Sequence, residues 1–444
     1  MKRKLLLISP RNSSVKTTKG RQLAHLGLPA IAVLTPERDW DVQIVDDLHQ
    51  EVDFNVDADL VGVSIFTAQA TRGYEIADRF RARGTPVVIG GMHASALPDE
   101  AALHADAVVV GEAERSWPTL LEDFRRGEMK RLYQNVRDWD LSKYIPPRRD
   151  LLNINVAFGM APVQTTRGCP YRCNFCSVHE FFGGKYLHRP VKDVIAELRS
   201  IPQKHILFID DHIMGNVKYS KELFKAMIPL KKRWGGQSTL LVARDKELLE
   251  LAQRSGCFSM FIGLESVLQE TLAEANKGFN KTKDYLRLIK NYRDHGIGIV
   301  AGTIFGFDTD GPDVFEKTVA FYDMAEVAVP NYGVLTPFPG TGQFKEMRAA
   351  GRLLTEDWSL YTGSHVVFKP KRLGVQELLD GKHWAARQTY SLKSIGKRFV
   401  GNWRTPLFHV ATNLSYKFNV VRNFPRGYAT RLARPQLQSF LASF

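Results

Sequence analysis

Five short apolar runs punctuate the first 130 residues: KRKLLLIS, DVQIVDD, DLVGVSIF, TPVVIGG and DAVVVG. Runs of this length, crowded with Val, Ile and Leu, predict strands buried on both faces. Helical spacing fills the gaps, in LAHLGLPAIAVLTPE, TRGYEIADRFRARG and LPDEAALH. This alternation predicts right-handed βαβ units, and so an α/β domain over 1–130 built as a doubly wound, Rossmann-like parallel sheet. The segment 131–160 contains Pro146-Pro147 and lacks a hydrophobic period, which predicts a linker.

A second alternation begins near Val163. PVQTTRG, HILFIDD, STLLVAR, FSMFIGLES, IGIVAGTIFGF and NYGVLTP read as strands. PVKDVIAELRSI, SKELFKAMIPLKKRW, DKELLELAQRSG and VFEKTVAFYDMAEVA read as helices between them. Five or six such units predict a partial (β/α)6, TIM-like barrel over 161–354, with chemistry at the carboxyl ends of its strands. A basic, mainly helical C-terminal segment follows over 355–444. HWAARQTYSLKSIGKRF gathers Trp384, Gln388, Leu392, Ile395 and Phe399 on one side. PLFHVATNLSYKFNVV does the same with Leu407, Val410, Leu414, Phe418 and Val421. The expectation is that both helices pack these apolar faces on the barrel; the alternative is contact with a membrane surface.

Composition sharpens this picture in two places. Hydrophobic residues make up 44% and charged residues 24% of the 444, an ordinary globular balance for two or three domains. The net charge of +14 is concentrated: from Lys369 onward 14 Lys and Arg face only Glu377 and Asp380, leaving +2 for the rest. The tail lacks the aromatic interleaving of a stacking platform, which argues against nucleic acid. Four cysteines are too few for a disulfide framework and suggest a reducing cytoplasm. The apolar run before Ser9-Pro10 is too short for a signal peptide, and no stretch reaches transmembrane length.

Three of the four cysteines fall within TTRGCPYRCNFC, as Cys169-x3-Cys173-x2-Cys176. Clustered thiolates favour zinc or an iron–sulfur cluster. Zinc wants four ligands and would need a residue such as His179. Three thiolates on a four-iron cluster instead leave one iron open for a ligand. This loop, with Phe175 before the last cysteine, resembles that of the radical SAM superfamily. The resemblance implies a [4Fe-4S] cluster on Cys169, Cys173 and Cys176, and S-adenosylmethionine (SAM) chelated at the open iron with Phe175 near its adenine. It further implies SAM contacts from Asp210 and Asp211 in FIDDHI, from Arg244 at the end of STLLVAR and from Glu265 in GLES. GIVAGTIFGF would let adenine approach the backbone. The plain alternative for Asp210, Arg244 and Glu265 is a salt-bridge network at strand ends. Cys257 reads as a buried core thiol.

The N-terminal stretch VVIGGMHASALPDEA…HADAVVVGEAE resembles the cobalamin-binding domain of the cobalamin-dependent radical SAM class. Gly90-Gly91 and Gly111-Glu112 end strands where a flat ligand would approach, and His93 is a candidate neighbour of the corrin. DLHQEV supplies Asp47 and His49 but lacks the Gly of the Asp-x-His-x-x-Gly fingerprint, so it reads as coincidence. No G-x-G-x-x-G follows the first strand, which weakens a dinucleotide alternative. The resemblance covers 1 to about 350. It implies that the reduced cluster cleaves SAM, and that an unactivated carbon then loses hydrogen and gains a methyl group from methylcobalamin. Ring formation or oxidative rearrangement on the same scaffold, and a non-catalytic cobalamin or iron–sulfur sensor, are the alternatives. The implied partners are a hydrophobic small molecule (lipid, hopanoid-like or tetrapyrrole) and an electron donor such as flavodoxin or ferredoxin. The basic tail adds possible contact with the inner face of the membrane. Tyr332, Thr336 and the TPFPGTG loop lie near the expected substrate entrance, with structural roles favoured.

Overall fold

The computed structural model describes residues 2–13, 25–134, 140–152, 159–424 and 434–444. In the first sheet, strands β1 (Arg3–Ser9), β2 (Trp40–Asp46), β3 (Leu60–Ser64), β4 (Val87–Gly90), β5 (Ala107–Val110) and β6 (Leu132–Gln134) take the order β2-β1-β3-β4-β5-β6, all parallel. Each apolar run supplies both faces. Leu6, Ile8, Val63 and Ile89 pack beneath the helix Ala70–Ala82, while Leu5, Leu7, Val88 and Val109 meet Trp117 and Leu120 of the helix Ala113–Arg126. Gly62 leaves space for Leu7, with Trp117 beside it. The sheet therefore runs past residue 130, because Tyr133 is buried and its hydroxyl donates to Asp123 at 2.9 Å. Of the expected linker, residues 135–139 and 153–158 lie outside the described residues.

The second sheet sits on the next strands: β7 (Met160–Val163), then the antiparallel ribbon β8 (Thr166–Gly168) and β9 (Tyr186–His188), then β10 (His205–Phe208), β11 (Arg233–Ser238), β12 (Cys257–Glu265), β13 (Gly298–Phe305) and β14 (Val329–Val334). Apart from the ribbon, they pair in parallel in the order β14-β13-β12-β11-β10-β7, an open six-stranded barrel wall. β11 departs from expectation. The strand is RWGGQS, and Leu240–Arg244 of the predicted strand forms a 3-10 turn. The apolar content of β11 is concentrated in Trp234, buried against Phe208 and Phe224, so no apolar run betrays it.

The tail also departs. Its first predicted helix is two, Val375–Thr389 and Leu392–Phe399, the second capped by the Ser391 hydroxyl accepting from the Ser394 amide at 3.2 Å. The first of these buries Leu378, Gly381 and Ala385, with Gly381 against Phe315, instead of a Trp384–Gln388 face. The helix Pro406–Asn419 is inverted: His409 and Asn413 face inward, while Leu407, Val410 and Phe418 are exposed. The expectation that both apolar faces pack on the barrel fails for these three residues and, in the shorter helix, for Leu392 and Phe399. Among the described residues, no helix is long and apolar enough to cross a membrane.

Candidate active site

The cysteine loop hangs from β8, and its geometry begins one residue earlier. Gly168 has φ 81°, and a Cβ there would lie 2.0 Å from the Lys185 carbonyl across the ribbon, so only glycine closes the turn into Cys169. Asp210, fully buried, accepts from the Thr165 amide at 2.6 Å, from the Thr165 hydroxyl at 2.9 Å and from the Thr166 amide. Burial pushes its carboxyl up to about 7 against those bonds. Asp210 thus fixes the bend from β7 into β8. Asp211 accepts from the Gly168 amide at 3.0 Å and lies close enough to the loop to oppose ionisation of Cys169 and Cys176.

The rest of the loop is pinned from the far side. The Asn174 amide group donates to the Glu274 carbonyl at 3.0 Å and Asn276 to the Arg172 carbonyl at 2.7 Å. Tyr171 stacks on Phe279 at 4.1 Å, and Phe175 meets Phe307, just past β13, edge to face at 6.0 Å. All three cysteines are free and partly buried. Burial pushes the Cys173 thiol up to about 12 and Cys176 up to about 11, while the Lys277 ammonium pulls both down. Lys277 is itself buried and donates to Glu265 at 2.6 Å. Glu265 ends β12 with a left-handed φ of 63°, a conformation costing about 1–3 kcal/mol that the ion pair helps to hold.

Three soft thiols beside one buried cation suit an anionic thiolate cluster. Zinc fits less well: it would need a fourth ligand, and His179, the nearest candidate in sequence, packs against Gly184. Arg244 does not join the site. It lies in the 3-10 turn past β11, its side chain 52% exposed and paired with Asp284 at 2.9 Å. The Gly-rich β13 does not present open backbone either, since Phe261 covers Gly302, and Leu378 and Phe368 cover Gly306 just beyond the strand. Tyr332 and Thr336 are internally bonded, to Thr389 and to the Val334 carbonyl.

At the carboxyl ends of the first sheet the candidates divide. Among the described residues a Cβ on Gly111 would meet nothing within 4 Å, and Phe66, two residues past β3, is 39% exposed with the His25 ring 5.0 Å away. This rim has room for a flat ligand. A Cβ on Gly90 would make only ordinary contact with Val109 at 3.6 Å, whereas on Gly91 the Ile65 backbone would be 2.6 Å from it. His93 is fully buried, with Nε2 3.3 Å from Glu100 and its ring edge-on to Trp358. Glu112 is paired with Arg167 at 2.6 Å, and Glu114 grips the same guanidinium at 2.5 Å. Arg167 precedes the cysteine loop, so these buried pairs tie the end of β5 directly to it. Neither Arg167 nor Lys277 was legible beforehand: each sits 12 or more residues from its partner, with no motif spacing to connect them.

The family models agree with this division. The Radical SAM superfamily matches residues 163–322 and the B12 binding domain residues 14–121. The chain is 34% identical over 419 residues, 90% of this chain and 91% of the relative, to bacteriochlorophyllide d C-12(1)-methyltransferase of Chlorobaculum tepidum. It is 32% identical over 423 residues, 89% of this chain and 92% of the relative, to bacteriochlorophyllide d C-8(2)-methyltransferase of the same organism. Among solved structures, OxsB, a cobalamin-dependent S-adenosylmethionine radical enzyme with aqua-cobalamin and S-adenosylmethionine bound, superposes with a TM-score of 0.68. That match has 13% identity and covers 100% of this chain and 78% of that one. With the cysteine loop on one sheet, an open rim on the other and relatives matching nearly end to end, the chain belongs to the cobalamin-dependent radical SAM family, whose cofactors are a [4Fe-4S] cluster, SAM and cobalamin.

Proposed function

We propose that this methyltransferase acts on a tetrapyrrole of the bacteriochlorophyllide type, adding a methyl group to an unactivated carbon. The observation that carries the substrate class is the pair of bacteriochlorophyllide methyltransferases matching about nine tenths of the chain. Cys169, Cys173 and Cys176 would hold the cluster; Phe175, Asp211 and Glu265 would face SAM; the Gly111 backbone and Phe66 would line the corrin side. When bound, these cofactors supply an electron, hydrogen abstraction from an inert carbon, and a methyl group.

The protein's own work is to orient and to enclose. Asp210 fixes the bend that presents Cys169. Tyr171 on Phe279 and Phe175 on Phe307 shield the loop from water on two sides. Lys277 keeps a positive charge beside the thiols without exposing it to solvent. Arg167 holds the loop against the first sheet, so two separately bound cofactors keep one spacing. Reduction calls for a small one-electron donor such as a flavodoxin or ferredoxin.

The test is anaerobic turnover of the reconstituted enzyme with bacteriochlorophyllide, SAM and a chemical reductant. The reading expects a product heavier by one CH2, formed together with 5′-deoxyadenosine. Formation of 5′-deoxyadenosine with a cyclised or oxidised tetrapyrrole and no added carbon would favour rearrangement instead.

A further inference from the structure

The helix Pro406–Asn419 turns its apolar stripe away from the protein, and its inner face explains why. Arg398, fully buried, donates to the carbonyls of Val327, Ala328 and Thr389 at 2.8–2.9 Å and to Asn413 at 2.9 Å. Asn413 adds a bond to the Ala328 carbonyl at 2.8 Å, and His409 lies 3.2 Å from the Ile395 carbonyl. These polar groups satisfy the chain entering β14, so the side facing the barrel must be polar. Leu407, at 85% exposure, is left outside with Val410 and Phe418, and Val400 and Trp403 extend the stripe across the preceding turn. Eight of the sixteen large exposed hydrophobics among the described residues fall within 392–420, which makes this a patch and not scatter. Exposed Lys393, Lys397, Arg404 and Arg422 stand among them, Lys397 with Asp323 of the barrel 3.7 Å away, and no acidic residue follows Asp380.

We propose that this face docks the enzyme on an anionic lipid bilayer. The stripe calls for an apolar medium, and the cations decide which one. A second copy would oppose two positive faces, whereas an anionic bilayer offers an apolar boundary and negative charge together. Trp403, with the Arg404 guanidinium 5.2 Å from its ring centroid, is the kind of pair that settles at headgroup level. The face lies at the starting ends of the barrel strands: Phe408 meets Phe258 at 6.0 Å and sits against Gly298. The cysteine loop and Glu265 lie at the opposite ends. Docking therefore leaves the cofactor end, which faces the first sheet, away from the bilayer, and it can be read without turnover.

The experiment sediments the full-length protein with vesicles of phosphatidylglycerol and phosphatidylcholine, or of phosphatidylcholine alone, at low and high salt. Binding is expected with phosphatidylglycerol, weakened by salt, and at most slight without it. Trp403→Glu with Leu407→Glu should weaken it at least about tenfold, with iron content and thermal melting unchanged. Lys393→Glu with Lys397→Glu should remove the preference for anionic lipid. No sedimentation with anionic vesicles, or binding indifferent to both pairs of substitutions, would overturn the proposal. So would a concentration-dependent dimer that the Trp403 and Leu407 changes dissolve, since the occupant would then be a second copy.

Discussion

Lys277 and Lys382 are both buried ammonium groups in opposite circumstances. Lys277 has Glu265 at 2.6 Å; Lys382, 4% exposed, has the Ser364 carbonyl at 3.2 Å and, among the described residues, no carboxylate in ion-pair reach. Lys277→Met should strand a buried carboxylate and lower the stability of the cofactor-free protein by about 3–5 kcal/mol. Adding Glu265→Gln should restore much of the loss, both readable by urea unfolding. Burial lowers the Lys382 ammonium from the ordinary 10.5 to about 8. Between those values the unfolded chain binds more protons than the native one, so Lys382 makes stability rise with pH from about 8 to 10.5. Lys382→Met should abolish that slope and be the more stable at pH 7, by on the order of 2–3 kcal/mol, in guanidinium melts at pH 7 and 10. The cysteines differ as sharply: Cys173→Ser should abolish retained iron, whereas Cys257→Ser, buried in the core, should leave it unchanged. The cysteine trio was legible because its spacing is local. Asp210 and Glu265 were legible as strand-end carboxylates, but not their hydrogen-bond and ion-pair partners, which the fold brings from elsewhere.

Strands announce themselves when their own residues form the core, as β1, β3 and β13 do. β11 did not, because two glycines under neighbouring strands replace the apolar pattern and Leu240–Val242 nearby imitates it. The helix Pro406–Asn419 misled in the other direction: its period was correct, but the side facing the barrel had to satisfy backbone carbonyls, which periodicity cannot reveal. The ribbon β8–β9 carries the main functional consequence at this scale, since Arg167 joins it to the helix after β5 through Glu112 and Glu114. Arg167→Gln would leave two carboxylates facing each other without their cation. It should raise the ratio of 5′-deoxyadenosine to methylated product while cluster and cobalamin contents hold, measured by chromatography of turnover mixtures. An unchanged ratio would make the pairs merely structural.

Across the whole molecule, two parallel sheets present their carboxyl ends to one another, and the tail helices Leu392–Phe399 and Pro406–Asn419 lie at the opposite ends of the barrel strands. That arrangement separates three tasks: cobalamin on the first sheet, cluster and SAM on the second, and surface contact behind them. On this arrangement a methyl group would cross from the cobalamin side to a substrate activated on the cluster side. The most direct test uses SAM carrying a deuterated methyl group, reconstituted enzyme with both cofactors, a chemical reductant and bacteriochlorophyllide, followed by mass spectrometry of the tetrapyrrole. The expected result is the deuterated methyl on a carbon of the tetrapyrrole, dependent on cobalamin and lost in Cys173→Ser. Label in the tetrapyrrole without cobalamin, or 5′-deoxyadenosine with no label transferred, would contradict it.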